Sequence, residues 1–288
     1  MTVPLRSVLY LPASNPRAVA KARTLAADAI ILDLEDAVAP DAKFAARDAA
    51  VSAVTAGGFG GMLVVRVNAL DTEWGAADLA AVATVRPDAV LLPKVSNPAL
   101  LIAARAALGL DGPDLWAMIE TCAALLDLRA IVAAAAAATR LTALVAGTND
   151  LAAESRARPG PDRAPLLPAL ALIVTAARAH GLAALDGVCN ALDDPSRLAA
   201  ECAQGRDFGF DGKTLIHPSQ IAAANAAFAP DAAEVAWART VIAAFAAGPD
   251  RGVLRIDGRM VERLHLAEAA RVVAVADAIA ALGGDPGK

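Results

Sequence analysis

The sequence predicts a (β/α)8 TIM barrel with a C-terminal helical extension. Two observations carry this. Eight short apolar runs alternate with longer Ala/Leu-rich segments of helical character, the pattern of β-α units around a parallel sheet. Several of the runs also close on polar residues: Glu35, Asp36, Arg66, Asn68, Lys94, Glu120 and Asp150. Barrel enzymes build their sites at the C-terminal ends of the strands, so residues scattered along the chain would converge on one mouth.

The runs occupy residues 7–12 (SVLYLP), 29–35 (AIILDLE), 63–68 (LVVRVN), 89–95 (AVLLPKV) and 115–121 (LWAMIET). They continue with residues 141–150 (LTALVAGTND), 182–188 (LAALDGV) and 209–218 (GFDGKTLIHP). After the first, PASNP stops the strand and offers Ser14 or Asn15 as a helix cap. A helix follows Asp41, and the Gly-rich turn at 57–61 leads into the third run. Pro87-Asp88 and Gly112-Pro113 introduce the fourth and fifth. The loop at 154–168 after the sixth is long and rich in Pro and Arg, which makes it a lid candidate. Residues 219–228 read as the closing helix of the barrel, and Pro230-Asp231 opens a further helix to about residue 247. Residues 248–258 form a break, and 260–282 read as helical again. The expected division is a barrel domain at 1–228 and an arm at 229–288 that contacts a neighbouring subunit.

Composition narrows the function classes. Of 288 residues, 57% are hydrophobic, which suffices for a barrel core, while only 3% are aromatic, so packing rests on Ala, Leu, Val and Ile. A formal charge of −5 without a basic block argues against nucleic-acid binding. An anionic substrate would then need a local cationic pocket, which singles out Arg66 and Lys94. Cys122, Cys189 and Cys202 lack paired zinc spacing and read as free thiols of a reducing compartment. The N-terminus lacks a signal-peptide core, and the apolar run 130–138 is too short to span a bilayer. A cytoplasmic protein without membrane contact is expected.

Residues two apart on a strand share a face. Asp33 with Glu35, Arg66 with Asn68, and Met118 with Glu120 therefore point together. Arg66 can grip a carboxylate with two parallel hydrogen bonds, or pair internally with Glu35 on the adjacent strand, or do both. Glu120 and Asp150 close neighbouring runs and suit Mg²⁺ as two hard oxygen ligands with room for water and substrate. The alternative for Asp150 is a helix cap; for Glu120, at the end of an apolar strand, an unpaired carboxylate would be costly. His180, His217 and His265 have no metal spacing and read as structural.

At these residues the chain resembles the citrate lyase β-subunit-like proteins of the HpcH/HpaI aldolase superfamily. The stretches that carry the likeness are RSVLYLP (6–12), DAIILDLEDAV (28–38), VRVN (65–68), LPKV (92–95), IET (119–121), GTNDL (147–151) and GFDGKTLIHPSQ (209–220). The resemblance implies a Mg²⁺-dependent barrel that breaks or forms a C–C bond beside a CoA thioester, assembled as a homotrimer or homohexamer. It places the metal ligands on Glu120 and Asp150, the carboxylate-binding arginine on Arg66, and carboxylates near the metal waters on Glu35 and Asp36. Glu120 would also touch substrate. CoA phosphates would lie near Arg17 and Lys21, whose other reading is a solvated helix face. The family's C-terminal Gly-x-Met-Ile-Asp stretch appears here as Gly258-Arg259-Met260-Val261-Glu262, so Glu262 takes the place of the acid that reaches a neighbour's mouth.

The expected activity is cleavage or formation of a 3-hydroxyacyl-CoA dicarboxylate, such as malyl-CoA, citramalyl-CoA or citryl-CoA, to an acyl-CoA and a 2-oxo acid. Three alternatives stand beside it: a thioesterase on the same esters, a pyruvate-type aldolase, and a non-autonomous subunit that uses an acyl-carrier-protein thioester. The aldolase is disfavoured because its relatives carry His where this chain has Asp36.

Overall fold

The computed structural model describes residues 3–134, 139–248 and 251–283. Eight parallel strands close into a barrel in chain order: β1 Ser7–Pro12, β2 Ala29–Asp33, β3 Met62–Arg66, β4 Ala89–Leu92, β5 Asp114–Ile119, β6 Leu141–Ala146, β7 Ala183–Asp186 and β8 Gly212–Leu215. β8 pairs with β1 to complete the ring. Except for β1, the strands are shorter than the apolar runs. Arg66 is the last residue of β3, but Glu35, Asp36, Asn68, Lys94, Glu120 and Asp150 all lie just past their strand ends. The polar residues end the ladder and begin the loops that form the mouth.

The period of two explains the core. Val8, Ala29, Ile31, Val64, Ala89, Leu91, Trp116, Met118, Ala143, Val145 and Leu185 form one buried cluster of alternate strand residues. Trp116, 1% exposed, compensates in volume for the small alanines around it. The same alternation carries the pattern up to Tyr10, Asp33 and Arg66, where the interior turns polar. Helices cover the outside. Asn15 caps the helix Pro16–Ala22 by accepting the Ala18 N–H, as the PASNP reading expects. The helix Leu128–Ala133 takes up the start of the apolar run at 130–138, whose residues 135–138 lie outside the described residues. Among the described residues, no helix is long and apolar enough to cross a membrane.

The loop after β6 is anchored. Arg163 is buried, with its backbone in the left-handed region at φ 56°. Its Nη1 donates to both oxygens of Asp186, at 2.8 and 3.0 Å, and its Nε donates to Gln204. Lys213 on β8, fully buried, donates to Asp186 at 2.9 Å and lies 3.2 Å from Glu201. Burial alone would raise the Asp186 pKa, but Lys213 and Arg163 outweigh it and hold the carboxyl below its ordinary value. The lid expected here is therefore pinned at one end by a buried ion cluster that also ties β7 to β8.

The barrel residues form one compact unit, Leu5–Ala227, and Phe228 begins a second. In the second, helices Ala232–Ala247 and Arg263–Gly283 pack with a hairpin of β9 (Val253–Ile256) and β10 (Arg259–Glu262). Asp231 opens the first helix with a capping box to Glu234. The hairpin corrects the helix expected from residue 260. Asp257 and Gly258, at φ 48° and 81°, form a two-residue turn of the kind that reverses antiparallel strands, so the chain pairs before it coils.

Removing the carboxylate at the centre of the buried cluster leaves two cations without their main partner. Asp186→Ala is expected to lower unfolding free energy by about 3–5 kcal/mol, read as a shift of the urea midpoint by circular dichroism. A shift within error would mean that the cluster is not under electrostatic tension.

Candidate active site

Strand register builds the site. Asp33 and Arg66 are cross-strand partners at the top of β2 and β3. Arg66 Nε donates to Asp33 Oδ1 at 2.6 Å and Nη2 to Oδ2 at 2.7 Å, a bidentate fork with both side chains buried. Asp33 is held in turn, accepting the N–H groups of Glu35 and Ala37. The Tyr10 ring stacks on the guanidinium, its centroid 4.8 Å away. Burial keeps the Tyr10 hydroxyl protonated far above neutral pH. One edge of Arg66 is thus committed to the fold. The other edge, Nη1, faces Glu35 Oε2 at 2.9 Å, Asp36 at 3.5 Å and Met118 Sδ at 3.8 Å. Glu35 Oε2 is nevertheless out of line with the N–H groups and has no hydrogen-bond donor. The internal pairing of Arg66 therefore rests mainly on Asp33, with Glu35 second.

Lys43 braces the loop beneath. Its buried ammonium donates to the carbonyls of Leu34 and Glu35 and to Asn68 Oδ1. Asn68 in turn donates to Asp78, which also pairs with Arg47. Asn68, on the strand face of Arg66 in the sequence pattern, thus serves the scaffold.

Glu120 follows β5 and is 1% exposed. Its Oε1 accepts the Lys94 backbone N–H at 2.7 Å, while Oε2 is buried without a hydrogen-bond partner. Gly147 makes room for this carboxylate: a Cβ there would lie 2.3 Å from Glu120 Cβ and 2.7 Å from Oε2. Asp150 stands half-buried in the first turn of the helix Thr148–Glu154, as its third residue and not its cap. Burial pushes the Glu120 pKa up to about 8, helped by the charges of Glu35 and Asp150 and opposed by the Lys94 N–H and Arg66. Burial likewise raises Glu35, against the pull of Arg66. Lys94 donates from Nζ to Glu35 Oε1 at 3.2 Å; burial disfavours its charge, but Glu35 more than compensates and raises its pKa.

The arrangement suits a divalent cation. Asp33, Glu35, Asp36, Glu120 and Asp150 are set against Arg66, Lys94 and Lys43, a formal excess of two negative charges. An orphaned buried oxygen on Glu120 and a second carboxylate close enough to raise its pKa are what a hard metal with open positions would satisfy. Among the described residues, no three His, Cys, Asp or Glu side chains form a closed metal cage. What the described residues offer is a pair of neighbouring carboxylates, Glu120 and Asp150.

Arg17 and Lys21 are exposed on the helix Pro16–Ala22. Glu262 is exposed at the end of β10, its N–H donating to His265 Nδ1 at 2.9 Å. Cys189 and Cys202 are buried free thiols and Cys122 is half-buried. Asp33 and Lys43 were not among the expected site residues. The signal for Asp33 was its two-residue spacing from Glu35; for Lys43 the sequence offered none.

The model of the HpcH/HpaI aldolase/citrate lyase family matches residues 6–218. The chain is 53% identical over 281 residues, 96% of each protein, to a (3S)-malyl-CoA thioesterase of Cereibacter sphaeroides. It is 33% identical to the citrate lyase β subunit of Escherichia coli, over 89% of this chain and 88% of that one. Among solved structures, protein CitE of Mycobacterium tuberculosis, in complex with magnesium, acetoacetate and coenzyme A, is 33% identical. It superposes with a TM-score of 0.76 over 95% of this chain and 98% of that one.

A carboxyl that titrates near pH 8 makes cation binding compete with a proton. Below that pH, the Mg²⁺ dissociation constant is expected to fall by up to about tenfold per pH unit as pH rises, measured by calorimetry. The stability consequence has a definite sign. The folded pKa lies above the ordinary value of 4.5, so metal-free protein loses stability as pH rises from about 4.5 to about 8. Mg²⁺ should therefore raise the melting temperature more at the alkaline end of that window. Equal Mg²⁺ shifts across it would contradict the assignment.

Proposed function

For this chain, which belongs to the HpcH/HpaI aldolase/citrate lyase family, we propose a Mg²⁺-dependent carbon–carbon lyase activity. The substrate is a 3-hydroxyacyl-CoA dicarboxylate such as malyl-CoA, citramalyl-CoA or citryl-CoA, and the products are an acyl-CoA and a 2-oxo acid. The observation that carries the reading is the pairing, at one mouth, of an orphaned buried Glu120 oxygen with a guanidinium whose second edge is uncommitted to Asp33.

Glu120 and Asp150 would hold the metal, which when bound supplies Lewis-acid polarisation of the substrate hydroxyl and of the oxo product. The Arg66 Nη1 edge receives the substrate carboxylate, with Asp33 fixing the guanidinium plane. Glu35 and Asp36 accept hydrogen bonds from water around the carboxylates. Arg17 and Lys21, exposed on the helix Pro16–Ala22, would meet the CoA phosphates. As the hydroxyl gives up its proton to water held by Glu35 and Asp36, its carbon becomes the carbonyl of the 2-oxo acid, the bond from that carbon to the thioester α-carbon breaks, and the electron pair moves to that α-carbon. Glu262, delivered by a neighbouring subunit's 229–288 arm, returns a proton there. The reading includes a homotrimeric or homohexameric assembly and a cytoplasmic location.

Hydrolysis of the same thioester is the second reading. It is favoured by the relatives of 51–53% identity, which carry the name (3S)-malyl-CoA thioesterase. In that case water adds to the thioester carbonyl and CoA leaves as its thiol. A subunit that depends on an acyl-carrier-protein thioester would be inert on free CoA esters.

Pure protein, Mg²⁺ and malyl-CoA, with products identified by mass spectrometry, separate these readings. Glyoxylate with acetyl-CoA is the result of the lyase, and malate with free CoA that of the hydrolase. No turnover of any hydroxyacyl-CoA ester would reject both. Arg66→Lys keeps the charge and loses the planar fork, so it should weaken glyoxylate binding about tenfold or more while leaving CoA binding unchanged. Glu262→Ala should lower turnover by about 10²–10⁴ with Mg²⁺ and oxo-acid binding intact. Unchanged kinetics would make Glu262 a surface residue.

A further inference from the structure

Lys94 carries a conformation that its residue type disfavours. Two residues past the end of β4, after Pro93, it sits at φ 52°, in the left-handed region. A non-glycine residue there costs on the order of 1 kcal/mol or more, and glycine would adopt the same turn without strain. The chain keeps a lysine, and both of its donors are used. The backbone N–H takes Glu120 Oε1 at 2.7 Å, and the half-exposed ammonium takes Glu35 Oε1 at 3.2 Å. The first contact turns Glu120 so that Oε2 is left open. The second holds Glu35 by the oxygen remote from Arg66, while Glu35 Oε2 stays 2.9 Å from Nη1 without forming an aligned hydrogen bond.

We propose that Lys94 is a positioning residue that divides Glu35 between two cations, so that Glu35 stays in ion-pair contact with Arg66 without an aligned hydrogen bond and Nη1 can still donate to a substrate carboxylate. The inference rests on the reading of Arg66 as the carboxylate-binding group. Glu35 is mostly buried and, among the described residues, has only these cations to satisfy it. Without the ammonium, its whole charge turns to Arg66, and an incoming carboxylate must compete with a covalently tethered one. The backbone N–H survives any substitution other than proline, so the orientation of Glu120 is separable from the effect on Arg66.

The test is calorimetric binding of glyoxylate at saturating Mg²⁺ to wild type, Lys94→Met, Glu35→Gln and the double variant, with Mg²⁺ binding measured on each. Lys94→Met should weaken glyoxylate about tenfold or more without weakening Mg²⁺. In the Glu35→Gln background, the same substitution should cost less than about threefold, because no carboxylate remains to compete. Lys94→Gly, which fits the positive φ, replaces Lys94→Met if the latter fails to fold. Undiminished glyoxylate affinity in the Lys94 variants overturns the proposal. A full loss that persists in the Glu35→Gln background also overturns it, since Lys94 would then touch the ligand itself, as does parallel loss of Mg²⁺ binding. Wild type that binds no glyoxylate with Mg²⁺ rejects the reading of Arg66 and the proposal with it.

Discussion

The fork between Arg66 and Asp33 is the constraint on which the mouth of this barrel depends. A buried guanidinium must find full compensation, and the register of β2 against β3 supplies it from the directly opposite residue. Once Asp33 takes Nε and Nη2, the plane of the guanidinium is fixed and only one edge can meet anything else. Glu35, two residues on, is drawn to that edge, Lys94 to Glu35, and the Lys94 backbone to Glu120. The chain of contacts runs across four consecutive strands and ends on an oxygen with no partner. The family's shared architecture thus reduces, in this chain, to a sequence of charges each positioned by the one before it.

A second buried ion cluster compensates its central carboxylate fully, although Glu201 Oε2 beside Lys213 also lacks a hydrogen-bond partner. Around Asp186, both carboxylate oxygens are met by Arg163 and Lys213. Its work is mechanical: it ties β7 to β8 and pins the loop after β6. The mouth uses the same chemistry but leaves a Glu120 oxygen unmatched, with burial and neighbouring carboxylates working against its charge. Such tension is tolerated where a ligand relieves it. Asp186 and Glu120 differ in compensation and not in burial, since both are inaccessible and only Asp186 has both oxygens met.

Much of the fold was legible in the sequence because barrel strands announce themselves as apolar runs and their ends as the first polar residues. Arg66, Glu120 and Asp150 were legible for the same reason. The partnership of Asp33 with Arg66 was not, because a two-residue period gives the face of a strand but not its register against the next. Lys94 stood out as a cation at a strand end, yet its left-handed backbone, which aims the N–H at Glu120, leaves no mark in composition. The 154–168 loop read as a lid because Pro and Arg are common in mobile loops; nothing in the sequence showed that Arg163 reaches a buried aspartate. The β9–β10 hairpin was hidden by short strands with charged residues, although Asp257-Gly258 is the dipeptide that such turns favour.

A crystal structure with Mg²⁺ and glyoxylate tests the central claim most directly, since it sees the orphaned oxygen and the open guanidinium edge at once. The account predicts an octahedral ion about 2.0–2.1 Å from Glu120 Oε2 and from the Asp150 carboxylate, with the glyoxylate carboxylate on Arg66 Nη1 and the Asp33 fork unbroken. A metal held away from Glu120, or a carboxylate bound without Arg66, would contradict it.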